Sequence, residues 1–177
     1  MINRDSDAFV KSEDEFIPLP GSYEAIAALS RSGHQVAVCT NQSGIGRGLL
    51  TEDTLQLIHE KMSAGIKDAG GRLHGVRYCP HLPDAGCECR KPNPGMLLEL
   101  MRDLAAEPAD TTLVGDSLRD LEAGRAAGAR SVLVRTGNGI STEASARAAG
   151  FSEVYDDLKA FAAAEIDRNR AIDGAQQ

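Results

Sequence analysis

Short runs of consecutive apolar residues alternate along this chain with segments in which apolar residues recur every three or four positions. The runs predict buried strands, and the wider spacing predicts amphipathic helices. The predicted strands are residues 35–39, 75–78, 111–114, 131–134 and 153–155, and the predicted helices are residues 22–32, 51–69, 94–104, 118–127, 143–149 and a last one from 156. This alternation predicts an α/β domain with a parallel sheet and helices on both faces.

Several helix boundaries carry their own signals. Ser22 and Thr51 are residue types that cap helix N-termini through a side-chain oxygen. The helix after Thr51 has a single apolar face, formed by Leu55, Ile58, Met62 and Ile66. Residues 1–16 have no period and are predicted to be a loop, and the polar residues 167–177 are predicted to be a flexible tail after a domain spanning residues 1–166.

Polar motifs follow four of the predicted strands. They are Thr40-Asn41, the cysteine-rich stretch 79–91, Asp116 and Arg135-Thr136. In open parallel sheets, ligands bind beyond the carboxyl ends of the strands. The sequence therefore predicts one site to which all four motifs contribute.

Composition and net charge limit the classes of ligand that this site can bind. The 177 residues are 42% apolar, 25% charged and only 4% aromatic, so the core must be aliphatic, and the net charge is -7. This charge argues against nucleic-acid binding, which needs a basic surface, but not against a small phosphorylated molecule, which needs only a few focused cations. No apolar run reaches membrane-spanning length, so we expect no membrane partner and a cytoplasmic location.

The cysteine-rich stretch predicts a metal site. Its spacing is Cys-x-His, five residues, then Cys-x-Cys, formed by Cys79, His81, Cys87 and Cys89. Thiolates and imidazole are zinc ligands, and four of them complete a tetrahedral structural site. The alternatives are reduced surface thiols or a disulfide, but clusters of this kind in a reducing compartment are more often metal sites. Cys39 lies apart, in an apolar run.

Two further motifs suggest phosphate chemistry. Asp116, next to Ser117 at a strand end, suits Mg²⁺, which takes oxygen ligands, although it could also cap the following helix. Asp120 could be a helix-surface or a structural carboxylate. Arg90 and Lys91 could bind phosphate, the first as a planar fork and the second as a point charge, or could be solvated surface charges.

Thr40 and Asn41 end a predicted strand and begin a glycine-rich polar loop. A hydroxyl, an amide and the backbone N–H groups around Gly44 and Gly46 could all donate hydrogen bonds to a phosphoryl group. A plain turn is the alternative interpretation of this loop.

Taken together, the motifs resemble those of the haloacid dehalogenase (HAD) phosphatase superfamily. The resemblance rests on Thr-Asn at one strand end, Lys-Pro at a later one and Gly-Asp-x-x-x-Asp at a third. Longer strings resemble the branch that contains heptose-bisphosphate and histidinol phosphatases, namely Thr-Asn-Gln-Ser-Gly-Ile-Gly-Arg-Gly from Thr40, Cys-Pro-His from Cys79 and Cys-Glu-Cys-Arg-Lys-Pro from Cys87. The fold implied is a HAD-like Rossmannoid three-layer sandwich with a small zinc-binding loop at residues 79–91.

This resemblance implies a Mg²⁺-dependent phosphomonoesterase that works through an aspartyl-phosphate, and we expect the protein to be a monomer. Its substrate would be a small phosphorylated sugar, D-glycero-D-manno-heptose 1,7-bisphosphate, which loses its 7-phosphate on the way to lipopolysaccharide. Thr40 and Lys91 would stabilise the transferring phosphoryl group, Asp116 would bind Mg²⁺, and the cysteine–histidine cluster would hold Zn²⁺. The substrate-binding residues would be Asp5, Ser6, Asp7, Ala8, Asn41, Gln42, Ser43, Arg90 and Ser117.

One part of the family pattern does not match this sequence. The family begins with an apolar strand and Asp-x-Asp-Gly, which supplies the nucleophile and the general acid–base. The sequence given begins at Met1-Ile2-Asn3, where that motif would have ended, and no strand precedes Asp5 and Asp7. We therefore expect a missing first strand, an N-terminal truncation and no turnover by the chain as given. The alternatives are histidinol phosphatase, a non-catalytic zinc-stabilised phosphosugar-binding protein, and a nucleic-acid 3′-phosphatase.

Overall fold

Strands and helices alternate along the chain, as the apolar pattern predicts. The computed structural model describes residues 1–6 and 8–175. The helices are α1 (Ser22–Arg31), α2 (Ser43–Gly46), α3 (Glu52–Asp68), α4 (Gly95–Asp103), α5 (Leu118–Ala126), α6 (Gly139–Ala148) and α7 (Leu158–Ala175), and the strands are β1 (Ala37–Asn41), β2 (Gly75–Cys79), β3 (Thr112–Gly115), β4 (Arg130–Val134) and β5 (Val154–Tyr155).

The strands form two parallel half-sheets. β1 pairs with β2, so that Ala37 lies opposite Gly75, and β4 pairs with both β3 and β5. Between β1 and β3 lies a cavity of about 710 Å³ that is lined by both strands. Within the described residues, no strand bridges the two half-sheets. The predicted parallel α/β architecture is therefore confirmed, with a gap in the middle of the sheet.

Helices cover both faces of the strands and form the outer two of three layers. One face holds the largest apolar cluster, to which α1, α3 and α7 contribute Ile26, Leu55 and Phe161 together with Val132 of β4. The opposite face is covered by α4 and α5, which pack Leu97, Met101 and Ala123 against Leu113 of β3. Aromatic side chains are few in these clusters, as the composition predicts.

The capping prediction holds for one helix and fails for another. Thr51 Oγ1 accepts a hydrogen bond from the Thr54 backbone N–H at 3.1 Å, and all four predicted apolar residues of α3 are buried. Ser22 is not the cap of α1, because Gly21 occupies that position with φ +79°. The Ser22 hydroxyl lies 2.9 Å from the carbonyl oxygen of Ile2 instead, and it anchors the N-terminal segment to α1.

The last helix is longer than the sequence pattern indicates. Residues 167–177 are predicted to be a flexible tail, but α7 continues to Ala175. Ion pairs at i,i+3 spacing follow the axis of α7, between Glu165 and Arg168 at 3.7 Å and between Asp167 and Arg170 at 3.9 Å. Such pairs stabilise the exposed side of a helix. Residues 176–177 lie outside the described part.

Candidate active site

The predicted functional residues meet at the carboxyl ends of the strands. The cavity between β1 and β3 opens there, and its lining includes Asp5, Ser6, Thr40, Asn41, Gln42, Lys91, Asp116 and Ser117. Residues far apart in sequence are brought together because all the strands are parallel and end at one rim. Residues from three of the four predicted motifs therefore line this cavity, whereas Arg135 and Thr136 do not.

Lys91 provides the buried positive charge of the site. Its Nζ donates hydrogen bonds to the Cys39 carbonyl oxygen and lies 2.7 Å from Asp120 Oδ1, and the side chain is only 13% exposed. Burial alone lowers the pKa of this ammonium, but the charge of Asp120 and its hydrogen bond, with a contribution from Asp116, raise the pKa above the ordinary lysine value. Lys91 therefore stays charged at neutral pH, and it lines the cavity.

Asp120 is the structural partner of that lysine. Its Oδ2 accepts hydrogen bonds from the Ser117 hydroxyl at 2.8 Å and the Ser117 N–H at 3.1 Å, which forms a capping box at the start of α5. Burial raises the pKa of Asp120, whereas Lys91 and the hydrogen bonds lower it overall. Gly115 makes room for this carboxylate, since a Cβ there would lie 2.2 Å from Asp120 Cβ. Of the roles left open for Asp120, the structure favours the structural one.

Asn41 fixes the backbone of Lys91 by a two-point contact. Asn41 Nδ2 donates to the Lys91 carbonyl oxygen at 3.0 Å, and the Lys91 N–H donates to Asn41 Oδ1 at 3.1 Å. The sequence predicts a substrate-contacting role for Asn41, but the structure uses its amide to join the end of β1 to the segment after β2. We call this pair of hydrogen bonds the Asn41–Lys91 clamp.

The Thr40 hydroxyl can donate a hydrogen bond to a phosphoryl group. Its Oγ1 accepts a hydrogen bond from Gln42 Nε2 at 3.3 Å, so the hydroxyl proton can be donated towards the cavity. The glycine-rich stretch that follows forms the short helix α2 and not a simple loop, and Ser43 is buried within it. The Gly46 N–H donates to the Pro80 carbonyl oxygen at 3.0 Å, which packs this stretch against the cysteine-rich loop.

Asp116 has the surroundings of a cation ligand. Its Oδ2 lies 3.3 Å from the Met1 amino nitrogen and accepts a hydrogen bond from the Asn138 N–H at 3.3 Å. Gly137, with φ +62°, permits this approach, because a Cβ there would lie 2.0 Å from Asp116 Oδ2. A partly exposed carboxylate that already holds a positive group suits Mg²⁺, which prefers oxygen ligands.

Sequence reasoning missed Asn138. Its Nδ2 donates to Asp5 Oδ2 at 2.8 Å, and its backbone N–H reaches Asp116. It therefore links the N-terminal segment to the end of β3. The signal was present, since Asn138 follows Arg135-Thr136 after a predicted strand, at the rim where the other motifs meet.

The cysteine–histidine cluster fits a tetrahedral zinc ion. Cys87 Sγ lies 3.6 Å from Cys79 Sγ and 3.5 Å from Cys89 Sγ, and His81 Nδ1 lies 3.5 Å from Cys79 Sγ and 3.2 Å from Cys89 Sγ. Zinc–ligand bonds of usual length in a tetrahedron place two sulfurs about 3.8 Å apart and a sulfur and a nitrogen about 3.6 Å apart. The four predicted residues form a group of metal-ligand type within the described part of the chain.

The protonation of these thiols also favours a metal ion. Burial raises the pKa of Cys87, yet hydrogen bonds from Cys89, the Arg90 backbone and Cys79 lower it to about 7. Burial and the neighbouring thiols raise the pKa of Cys89 to about 12. Several thiolates can therefore share this small volume at neutral pH only if a cation offsets their repulsion.

Some predicted site residues have other contacts. Arg90 does not line the cavity, and its Nη1 donates to the His81 carbonyl oxygen at 3.2 Å, inside the metal loop. Ala8 likewise does not line the cavity but takes part in a local turn, in which its N–H donates to Ser6 Oγ at 3.3 Å. Arg135 is held by Glu143 at 2.7 Å. Asp7 lies outside the described residues.

Fold and site together define a hydrolase of the HAD-like class. Residues 88–161 match the family model described as HAD-hydrolase-like. The chain is 48% identical over 162 residues to the D-glycero-β-D-manno-heptose-1,7-bisphosphate 7-phosphatase of Bordetella bronchiseptica, covering 92% of this chain and 90% of that protein. It is 45% identical to the Pseudomonas aeruginosa enzyme of the same name, covering 93% and 92%. The chain belongs to this family of phosphatases.

Solved structures agree with the sequence relatives. The crystal structure of the B. bronchiseptica D,D-heptose 1,7-bisphosphate phosphatase, complexed with magnesium and phosphate, superposes with a TM-score of 0.91 at 46% identity and covers 95% of this chain and 94% of that one. The Burkholderia thailandensis phosphatase of the same name matches with a TM-score of 0.68 at 41% identity, covering 92% and 95%. The HAD-like fold predicted from the motifs is confirmed.

Proposed function

We propose that this site serves the removal of the 7-phosphate from D-glycero-β-D-manno-heptose 1,7-bisphosphate. The observation that carries the proposal is the convergence of Thr40, Lys91 and Asp116 on one cavity in a chain 48% identical to a phosphatase of that name. The cavity opens at the rim of the sheet, where these polar groups lie. The finer assignment, to the 7-phosphate of this sugar, follows the names of the relatives.

Each residue has a role that its contacts support. The Lys91 ammonium and the Thr40 hydroxyl bind and orient the phosphoryl oxygens, and Lys91 offsets their negative charge in a partly buried site. The Asn41–Lys91 clamp holds the backbone of Lys91 beside the end of β1. Asp116 would hold Mg²⁺, which when bound neutralises phosphate charge and polarises the phosphoryl group. The zinc loop fixes the segment from which Lys91 projects.

The protein is proposed to act as a cytoplasmic monomer on this small phosphosugar, with no nucleic-acid or membrane partner. All of the groups assigned to the site come from one chain, and a cluster of reduced thiols is kept in that state by a reducing compartment. None of the described helices is both long and apolar enough to cross a bilayer.

The test compares binding of the proposed substrate with binding of histidinol phosphate, the substrate of the alternative phosphatase. Calorimetry with Mg²⁺ should show heptose bisphosphate binding at least tenfold more tightly than histidinol phosphate. Lys91→Met should weaken that binding by tenfold or more, whereas Lys11→Met, which removes an exposed lysine, should not change it. Equal affinity for the two phosphates, or unchanged binding in Lys91→Met, would contradict the proposal.

A further inference from the structure

Asn138 contacts two carboxylates of the candidate site through different atoms. Its backbone N–H donates to Asp116 Oδ2 at 3.3 Å, and its side-chain Nδ2 donates to Asp5 Oδ2 at 2.8 Å. All three residues line the cavity. The two contacts can be separated by mutation, because a change of side chain removes the bond to Asp5 and keeps the backbone N–H that reaches Asp116.

The side chain of Asn138 does not cap the helix that follows it. Asn138 occupies the N-cap position of α6, where an asparagine side-chain oxygen usually accepts a hydrogen bond from the first turn. Among the described residues of α6, no such bond to this side chain is present. The start of α6 is held by main-chain bonds, from the Gly139 N–H to the Thr136 carbonyl oxygen at 3.1 Å and from the Thr142 N–H to the Asn138 carbonyl oxygen at 3.0 Å. The amide is therefore available to the N-terminal segment and is used there.

The turn that carries Asn138 is fixed on both sides. An ion pair spans it, because Arg135, directly after β4, donates from Nε and Nη2 to the carboxylate of Glu143 in α6 at 2.7 and 3.0 Å. Gly139 packs directly on β4, since a Cβ there would lie 1.8 Å from the Val134 carbonyl oxygen. A side chain on such a fixed turn can hold a partner in one place, which a side chain on a mobile segment cannot do.

The partner of Asn138 is a loop whose shape depends on contacts from outside it. The described residues of this loop, which we call the rim loop, are Asp5, Ser6, Ala8 and Phe9. Hydrogen bonds within the loop are long, at 3.2–3.3 Å, and Phe9 has φ +64°, a left-handed conformation that is unfavourable for residues with a side chain. Such a conformation persists only where neighbouring groups hold it. Two of these groups are Asn138, at Asp5, and Arg47, whose guanidinium lies 5.9 Å from the centre of the Phe9 ring.

We propose that Asn138 is a positioning residue, which holds the rim loop beside the cavity so that the loop can contact the sugar of a bound phosphosugar. The identity of this ligand rests on the proposed function. Asn138 acts through Asp5, whereas Thr40, Lys91 and Asp116 hold the phosphoryl group and the metal ion without its side chain. Loss of that side chain should therefore weaken phosphosugar binding and leave the binding of Mg²⁺ and of inorganic phosphate unchanged.

The experiment compares the parent chain with three variants of this contact and one control. Asn138→Ala removes the donor, and Asn138→Asp brings a second carboxylate against Asp5. The double variant Asp5→Asn/Asn138→Asp exchanges the donor and the acceptor, so that the bond can form again in the opposite direction. The control is Asn169→Ala, which removes another exposed amide, on α7, where Nδ2 lies 2.9 Å from His34 Nε2.

The first measurement is backbone ¹⁵N relaxation of the rim loop in the protein without ligand. We expect the order parameters of the Ser6, Ala8 and Phe9 amides to fall from about 0.85 in the parent chain to below about 0.6 in both single variants. They should return towards the parent values in the double variant and stay unchanged in the control. Parent values in both single variants would overturn the proposal, and so would a double variant whose loop is as mobile as that of Asn138→Asp.

The second measurement is calorimetry with Mg²⁺, inorganic phosphate and heptose bisphosphate. Asn138→Ala should weaken heptose bisphosphate binding by about fivefold or more and change the other two affinities by less than about twofold. Equal weakening of heptose bisphosphate and inorganic phosphate binding would contradict a role through the rim loop. If the parent chain does not bind heptose bisphosphate, the proposed function fails, and the order parameters still decide whether Asn138 positions the loop.

Discussion

The ion pair between Lys91 and Asp120 can be tested by a double-mutant cycle. Asp120→Asn removes the carboxylate charge while keeping an oxygen that can accept from the Ser117 N–H. Lys91→Met removes the ammonium but keeps a similar side-chain volume. The two side chains are 13% and 11% exposed and lie 2.7 Å apart, so each single change leaves the partner charge poorly solvated.

The expected magnitude follows from that burial. Removing one partner of a buried ion pair costs about 3–5 kcal/mol, which is a large part of the 5–15 kcal/mol that holds a typical domain together. The double variant leaves no unpaired charge. Its loss should therefore be smaller than the sum of the single losses by about 2 kcal/mol or more.

The assay is urea unfolding of the four chains at pH 7, with the free energy of unfolding extrapolated to water. Glu15→Gln is the matched control, because Glu15 and Lys11 form a surface ion pair 3.8 Å apart, and such pairs contribute about 1 kcal/mol or less. A loss below about 1 kcal/mol in Asp120→Asn, or strictly additive single losses, would refute the account of Lys91 as a buried and paired cation.

Four other outcomes are expected. The pKa of Asp120 is lowered in the folded state. The stability that Asp120 contributes is therefore complete above its unfolded pKa of about 4 and is lost as the pH falls through its folded pKa. The free energy of unfolding of Asp120→Asn should accordingly change less with pH below pH 4 than that of the parent chain. Asn41→Leu removes both bonds of the clamp and should lower stability by about 2 kcal/mol and weaken inorganic phosphate binding measured by calorimetry. Gly137→Ala places a methyl group against Asp116 at a positive φ and should weaken Mg²⁺ binding at least tenfold in the same assay. Chelation of zinc should lower the unfolding temperature by several degrees and weaken phosphate binding, and Cys89→Ser should do the same. An unchanged unfolding temperature in a chain without bound metal would contradict a structural role for the cluster.

The sequence predicted the order and type of the elements because apolar periodicity depends on burial, which the fold satisfies almost everywhere. The limits of β1 were less certain. Its end at Thr40 and Asn41 was assigned to a loop because polar side chains suggest solvent, yet their backbones pair with Tyr78 and Cys79. The polar surface of α7 concealed its length for a similar reason, since ion pairs along its axis leave no apolar signal.

The sequence predicted which residues belong to the candidate site better than it predicted which atoms those residues contact. Spacing alone located the zinc ligands, since four ligands within eleven residues leave little freedom. The roles of Asn41 and Asp120 required coordinates, because the atoms they touch belong to Lys91, 50 and 29 positions away in the chain. The sequence signal for Asn138 was its position after a predicted strand, because a single amide after a turn has no residue pattern of its own.

Only Arg90 separates the zinc-ligand position Cys89 from Lys91, whose backbone the Asn41–Lys91 clamp holds beside the end of β1. Two ligands that order the same segment must influence each other equally in both directions. The factor by which zinc tightens phosphate binding is therefore also the factor by which phosphate tightens zinc binding. A phosphosugar pool would in this way help the chain retain its metal when free zinc is scarce.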